Sequence, residues 1–121
     1  MSNGILVFIE HKGGALNKTS LEAVAAAQKL GSDIGQKVSA VVLGSGLQQL
    51  AQGIAAYELE KVVNVDNAQL AEYTPDGYAA AMEQVVRAAD PQYVIMSHTY
   101  EARDFAPKVA ARLQALSLTV F

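Results

Sequence analysis

Four apolar runs in this chain are each followed at once by residues of types that bind ligands or transfer protons. Histidine and carboxylate side chains placed together can form an acid–base pair or part of a metal site. The carboxyl ends of parallel strands lie at one edge of a sheet, where ligands of open α/β proteins bind. The candidate site residues are therefore Glu10, His11, Gly44, Ser45, Gly46, Asp66, Asn67, Ser97, His98 and Thr99.

Both histidines of the chain belong to this set. If the strands that precede them are neighbours, His11 and His98 emerge about 5 Å apart, and Glu10 completes an acid–base or metal cluster. The sequence contains no HExxH motif, no third histidine and no nucleophile turn. Polar residues at such positions more often bond to the backbone of the turn. We therefore predict neither a catalytic nor a metal site.

The turn formed by Gly44, Ser45 and Gly46 admits two interpretations. A glycine turn that leads into a helix can bind a phosphate through its backbone amides. The turn matches neither the dinucleotide fingerprint nor the P-loop, which requires a Lys-Ser/Thr pair. A tight connection from strand to helix accounts for the same three residues, so nucleotide binding stays open from these residues alone.

The apolar runs predict short parallel strands that helices cover on both faces, because the runs do not alternate with polar residues. These strands are predicted at 5–9, 38–43, 61–65 and 93–96. A capping box at Thr19–Glu22 and a stop at Gly31 predict a helix over about 20–30. A second helix is expected at about 46–56, and a third runs from the cap Thr74-Pro75 to about Ala89.

Pro107 determines where the fourth helix is predicted to begin. Proline inside a helix lacks a donor and collides with the preceding turn, so it is expected within the first turn. Asp104 as the N-cap places Pro107 at the third helical position, where the missing N–H costs nothing. Phe105, Val109 and Leu113 then share one face.

Strands alternating with helices predict a three-layer α/β fold, a doubly wound parallel sheet with right-handed crossovers. Residues 117–121 are predicted to form a fifth strand, inside which the chain stops. We therefore expect a fragment of a longer protein. Its unpaired sheet edge favours a homodimer of the isolated chain.

Composition narrows the function classes further. The chain has 121 residues, which is the size of one domain over 1–121. It has no cysteine, a net charge of −3 and scattered basic residues, so disulfides, thiolate sites and nucleic-acid binding are not expected. Its start has neither a basic region nor a cleavage site, and no run is long enough to enter a membrane as a span. A cytoplasmic location is expected.

Several segments together resemble the N-terminal domain of the alpha subunit of electron transfer flavoprotein. The similarity covers nearly the whole chain in order, and the combination is more specific than any one piece. The matching segments are ILVFIEH, LNKTSLEAVAAAQKLG, VSAVVLGSG, KVVNVDN, and the last stretch with Arg103-Asp104 before Pro107-Lys108 and Ala110–Leu113.

The resemblance implies a fold like that of adenine-nucleotide α-hydrolases and universal stress proteins, with strand order 3-2-1-4-5. It implies a heterodimer whose alpha subunit carries FAD in a separate C-terminal domain, outside this chain, and whose beta subunit holds a structural AMP. Such a pair carries electrons from acyl-CoA and other dehydrogenases to a quinone reductase. The location implied is the cytoplasm of a bacterium, or the mitochondrial matrix in a eukaryote.

The resemblance also implies that this domain is a non-catalytic scaffold and a contact surface for the beta subunit. The family often has glycine just before the Arg-Asp pair, where this chain has Ala102, and no glycine follows Gly77. A backbone cradle for an anion is therefore not expected in this turn. The remnant of a nucleotide pocket would comprise Glu10, His11, Gly44, Ser45, Gly46, Ser97 and Thr99.

Two alternatives remain. The first is a small adenine-nucleotide-binding regulatory protein of the universal-stress type. The second is a small hydrolase that uses Glu10, His11 and His98. Binding of ATP or AMP would favour the first, and loss of an activity when both histidines are replaced would favour the second.

Overall fold

The structure is a computed structural model that describes residues 3–113 and 119–120. The strands of its main sheet are, in chain order, β1 Ile5–Ile9, β2 Val38–Gly44, β3 Val62–Asp66, β4 Tyr93–Met96 and β5 Thr119–Val120. All five run parallel, in the spatial order β3-β2-β1-β4-β5. The predicted order 3-2-1-4-5 is thus confirmed for β1 to β4, and the two described residues of β5 lie beside β4.

Helices cover both faces of the sheet and make three layers. They are α1 Lys18–Ile34, α2 Gln48–Ile54, α3 Pro75–Ala89 and α4 Tyr100–Leu113. A short antiparallel hairpin, His11–Lys12 with Ala15–Leu16, follows β1, and a single 3₁₀ turn, Ala68–Leu70, follows β3. The predicted doubly wound α/β architecture is confirmed.

All five residues of β1 are buried, because alternate side chains enter two separate cores. Ile5, Val7 and Ile9 pack with α1 and α2 on one face. Leu6 and Phe8 pack with α3 and α4 on the other. A central parallel strand covered on both sides has no polar face, and this explains the unbroken apolar run.

Aromatic rings fill the core beneath α3 and α4. Phe8 contacts Phe105 edge-to-face at 5.1 Å between ring centroids, and Tyr73 contacts Tyr78 in the same way at 4.9 Å. Such pairs stabilise by about 0.5–1.5 kcal/mol beyond the area that they bury. The cluster joins β1, α3, α4 and the segment before α3.

The first helix is longer than predicted at both ends. Asn17, rather than the predicted capping box, caps it, because the Asn17 side chain accepts a hydrogen bond from the Thr19 amide at 3.0 Å. Gly31 is an interior, buried residue, and the left-handed residue at the C-terminus is Gly35, with φ 68°. Gly31 is instead needed for a close approach, because a Cβ there would lie 2.6 Å from the Gln36 carbonyl oxygen.

The fourth helix begins five residues earlier than predicted. Thr99 is its cap, since its hydroxyl accepts a hydrogen bond from the Ala102 amide at 3.1 Å. Pro107 therefore lies inside the helix, and Asp104 is not the cap. Pro107 is exposed, so water can hydrogen-bond the backbone carbonyl that proline leaves without an intrahelical partner. Burial of Ala102, Phe105, Ala106 and Val109 offsets the free-energy cost of the proline.

Other boundaries agree more closely with the sequence. Thr74 caps α3 by accepting from the Gly77 amide, with Pro75 at the first helical position, and α3 ends at Ala89 as predicted. The second helix is two residues shorter at each end than expected, and β3 starts and ends one residue later. Of the predicted fifth strand at 117–121, all but Thr119–Val120 lies outside the described residues.

Gly31 provides a test of the close approach between α1 and the turn that follows it. A Cβ at this position would lie 2.6 Å from the Gln36 carbonyl oxygen, which is backbone and cannot move aside easily. We expect Gly31→Ala to lower the free energy of unfolding by about 1–3 kcal/mol, measured by urea denaturation.

Gly53→Ala in α2 is the matched control. Nothing lies within 4 Å of a Cβ added at Gly53, so we expect a gain of about 0.5–1 kcal/mol from better helix propensity. Equal stability of Gly31→Ala and the wild-type protein would contradict the packing described for α1.

Candidate functional site

A cleft of about 810 Å³ opens at the carboxyl edge of the sheet. It lies between the segments that follow β1 and β4, which is the point where the strand order reverses and where open α/β sheets bind ligands. The residues that shape it come from the hairpin, the start of α1, the segment before α3 and the first turn of α4. They include Glu10, His11, Asn17, Tyr73, Tyr78, His98, Thr99 and Glu101.

The Glu10 carboxylate is bonded from both sides of the sheet. Its Oε2 accepts a hydrogen bond from the Asn17 side-chain amide at 2.7 Å, and its Oε1 accepts one from the Thr99 hydroxyl at 2.6 Å. Its backbone amide donates to the Ser20 hydroxyl at 2.7 Å. Because Asn17 caps α1 and Thr99 caps α4, Glu10 joins the N-termini of two helices on opposite faces.

Glu101, in the first turn of α4, lies against Glu10 and is half-buried. Burial, the Glu10 charge and a hydrogen bond with Glu10 raise the pKa of Glu101 to about 7, in that order of importance. Two carboxyl groups in contact cannot both ionise cheaply, so Glu101 keeps its proton up to about pH 7. The pair lies in the wall of the cleft.

Two tyrosines add hydroxyl groups to the cleft. The Tyr73 hydroxyl donates to Asp104 Oδ2 at 2.7 Å, and burial together with that carboxylate raises the pKa of Tyr73. Burial, followed by the charges of Glu101 and Glu10, raises the pKa of Tyr78 to about 12. Both hydroxyls therefore stay protonated and act as hydrogen-bond donors at physiological pH.

The two histidines lie at the cleft, but they differ in availability. His11 Nε2 donates to the Leu43 carbonyl at 2.7 Å, and the Gly14 amide donates to His11 Nδ1 at 3.1 Å. Both ring nitrogens are therefore used by backbone, and His11 cannot serve as a base or metal ligand without leaving this position. His98 is exposed. The residues that the structure describes contain no group of three acidic or histidine side chains able to hold a metal ion.

The glycine turn lies outside the cleft, and two backbone amides at this turn are already hydrogen-bonded to a carboxylate of the same chain. Asp66, at the end of β3, accepts hydrogen bonds from the Gly46 amide at 2.9 Å and the Leu47 amide at 3.0 Å. These two bonds, that to Leu47 first, lower the pKa of Asp66. Gly44 is required by space, because a Cβ there would lie 2.7 Å from His11 Nε2.

The remaining predicted residues serve the local backbone. The Ser97 hydroxyl is buried and donates to the Thr19 carbonyl at 2.9 Å, which ties β4 to α1. Asn67 accepts from the Gln69 amide at 2.9 Å and caps the 3₁₀ turn. Ser45 is exposed on the glycine turn.

The structure thus brings only part of the predicted pocket together. Glu10, His11, His98 and Thr99 line the cleft, whereas the glycine turn and Ser97 lie outside it. Whether any of them binds a cofactor stays a prediction. Sequence reasoning missed Glu101, because a helix start at Asp104 placed that residue in a loop. An acidic residue two positions after a threonine is the signal that could have found it.

The Glu10–Glu101 contact predicts a pH-dependent stability. The folded protein keeps a proton on Glu101 up to about pH 7, whereas its usual pKa is 4.5. Stabilisation from this proton is complete below the lower value and is lost as the pH rises through the higher one. We expect Glu101→Gln to stabilise the fold at about pH 8 by less than ~1 kcal/mol, and by less at about pH 5.5.

Urea denaturation at both pH values measures this difference. Glu58→Gln is the control, because Glu58 is exposed at the opposite edge of the sheet. It should change stability equally at both pH values. A pH-independent effect of Glu101→Gln would show that the two carboxyl groups do not interact.

Among the described residues, no helix combines the length and apolar character needed to cross a membrane.

A family model for the electron transfer flavoprotein domain matches residues 5–120. The electron transfer flavoprotein subunit alpha of Bacillus subtilis is 35% identical over 94% of this chain and 34% of its own length.

Two further relatives are named for other roles. The acryloyl-CoA reductase electron transfer subunit beta of Anaerotignum propionicum is 33% identical over 90% of this chain and 30% of its own length. The lactate dehydrogenase (NAD(+),ferredoxin) subunit LctC of Acetobacterium woodii is 28% identical, over 90% and 26%. This chain therefore spans about a third or less of these relatives.

The match over residues 5–120 and the similarity to alpha subunits confirm the resemblance that the sequence segments indicate. The chain belongs to the electron transfer flavoprotein family.

Proposed function

We propose that this chain is the non-catalytic scaffold and subunit-contact domain of an electron transfer flavoprotein alpha subunit. In this proposal FAD carries the electrons and is bound by a part of the protein outside residues 1–121. The partner is a beta subunit, the donors are acyl-CoA or other dehydrogenases, and the acceptor is a quinone reductase or a similar protein. The complex works in the cytoplasm, or in the mitochondrial matrix of a eukaryote.

The main support for this proposal is the pair of hydrogen bonds that Asp66 accepts from the glycine turn. A dinucleotide needs free backbone amides at such a turn for its phosphates. Here the Gly46 and Leu47 amides are bonded to a carboxylate of the same chain. The residues described at this edge therefore do not fit the phosphates of FAD, and this supports a flavin site elsewhere.

The cleft itself gives no better place for a phosphate. Glu10, Glu72 and Glu101 line it, and the two basic residues at its edge, Lys12 and Arg103, are exposed. A half-buried carboxylate repels an anion more strongly than exposed cations attract it, because solvent screens the latter. This favours a structural role over nucleotide binding.

The contact role is supported by an unusual surface beside the cleft. Tyr100 is 87% exposed at the start of α4, and the Arg103 guanidinium lies over its ring at 5.2 Å. Tyrosine and arginine are the residue types that most often anchor protein interfaces. Two relatives are named as subunits of an acryloyl-CoA reductase and of a lactate dehydrogenase. The donor in this complex is therefore proposed only as a dehydrogenase.

A nucleotide-binding regulatory protein is the second candidate, because the cleft lies at the strand-order reversal and is large enough for a nucleotide. Isothermal titration of the purified chain with FAD, AMP and ATP separates the two. We expect no flavin absorbance and no binding of any of the three, since Asp66 and the carboxylates exclude phosphates. Tight binding of AMP or ATP would replace the scaffold proposal with the regulatory one.

The subunit-contact role has its own measurement. Light scattering after size-exclusion chromatography should detect a complex with a recombinant beta subunit from the same genome, or a homodimer of the chain alone. We expect Tyr100→Ala to weaken the complex with the beta subunit by about tenfold or more. Tyr57 is an exposed tyrosine on another surface, so Tyr57→Ala should leave the affinity of that complex unchanged. Equal affinity of both variants would remove this surface from the interface.

A further inference from the structure

The cleft between the segments that follow β1 and β4 has the position and the size of a ligand site. It lies outside the carboxyl ends of the strands where their order reverses, and its volume of about 810 Å³ falls in the range of small-molecule pockets. Its half-buried charged groups are acidic, whereas a phosphate requires positive charge or free hydrogen-bond donors. The chemistry of its walls therefore determines which ligand fits.

The half-buried carboxyl groups of the cleft have spare acceptor capacity. Glu10 accepts hydrogen bonds from Asn17 and Thr99, one on each oxygen, and is also bonded to the protonated Glu101. A carboxylate has about four acceptor sites, so Glu10 keeps one free, and it gains a second when Glu101 loses its proton. Among the described residues, neither Glu10 nor Glu101 forms an ion pair. Arg103, the nearest basic residue on α4, lies over the Tyr100 ring instead. The carboxyl pair thus lacks a counter-charge of its own.

An organic cation suits this arrangement better than a metal ion or an anion. A guanidinium or ammonium group donates several N–H bonds to adjacent carboxylates and can take the place of the Glu101 proton. The partly exposed Tyr73 and the exposed Tyr100 provide aromatic surface at the cleft, to which organic cations are attracted. A hydrated metal ion would gain nothing from these rings.

We propose that this cleft binds an organic monocation through a guanidinium or primary ammonium group that bonds to Glu10 and Glu101. The rest of the ligand packs against the tyrosine rings. The group can belong to a free small molecule or to an arginine or lysine side chain of a partner protein, because both present the same chemistry. This binding activity goes beyond the proposed scaffold function and does not depend on it.

Binding and protonation compete in this site. The raised pKa of Glu101 means that a cation must displace a proton below about pH 7. The other charged or titratable groups facing the cleft come from the hairpin, the segment before α3, α3, the end of β4 and α4. They are Glu10, His11, Lys12, Glu72, Tyr73, Tyr78, His98, Tyr100, Arg103 and Asp104. Of these groups, Glu10 is hydrogen-bonded to the Glu101 carboxyl group, and the Tyr73 hydroxyl donates to the Glu101 backbone carbonyl at 3.3 Å.

Nuclear magnetic resonance with a matched pair of probes tests the proposal. The probe is N-acetyl-arginine amide, and N-acetyl-citrulline amide has nearly the same shape without the charge. At about pH 8 we expect saturable shifts of the Thr99–Ala102 amides with the arginine probe alone. At about pH 6 its affinity should fall about tenfold, as Glu101 regains its proton.

Variants identify the carboxyl group responsible. Glu101→Gln should weaken binding of the arginine probe by about tenfold or more at pH 8, whereas Glu101→Asp should retain most of it and Glu58→Gln all of it. Equal binding of both probes, unchanged affinity in Glu101→Gln, or no saturable shift at Thr99–Ala102 would each overturn the proposal. The spectrum of each variant reports whether it is folded.

Two further probes distinguish the source of the cation. Butylguanidine represents a free small molecule, and a Gly-Ser peptide with one central arginine represents a partner side chain. The tighter of the two identifies the source, and either result supports the proposed chemistry. Failure of all these probes would leave the scaffold function intact, because that function is tested separately, by nucleotide titration and by the effect of Tyr100→Ala on the subunit complex.

Discussion

The Glu10 carboxylate connects the two helical layers of this domain at the end of its central strand. Asn17, the cap of α1, and Thr99, the cap of α4, each donate one hydrogen bond to it. The strand before Glu10 is buried on both faces, so the chain must become polar as it leaves the sheet. The position of the cleft, the start of α4 and the placement of Glu101 all depend on this junction.

The domain keeps the geometry of a ligand-binding α/β sheet with altered electrostatics. A glycine turn leads from β2 towards α2, yet Asp66 from the neighbouring strand occupies its amides. Carboxyl groups line the cleft at the reversal of strand order. A fold alone does not specify a function, and here the side chains at the strand ends change which ligand the same edge can accept. This is consistent with a flavin bound elsewhere in an electron transfer flavoprotein.

Packing overrides local rules at two places in the helices. Pro107 lies in the interior of α4, where it weakens a helix, because the opposite face of α4 packs Phe105 and Ala106 against the aromatic core. Gly31 lies in the interior of α1, where propensity alone disfavours it, because the Gln36 carbonyl approaches too closely for a side chain. In both cases tertiary contact, rather than helix propensity, sets the local structure.

The sequence alone determined the layers, the parallel strands and the family. Strands that are apolar at every position must be buried on both faces of the sheet. The helix cap at Thr74-Pro75 involves residues close together in the chain, so the sequence alone predicts it. Only the tertiary structure decided the start of α4, the separation of the glycine turn from the cleft, and the contact of Glu101 with Glu10. These depend on residues 20 to 91 positions apart, such as Asp66 with Gly46 and Glu101 with Glu10. No local pattern encodes such pairs, because the sheet brings them together only when its strands are in register.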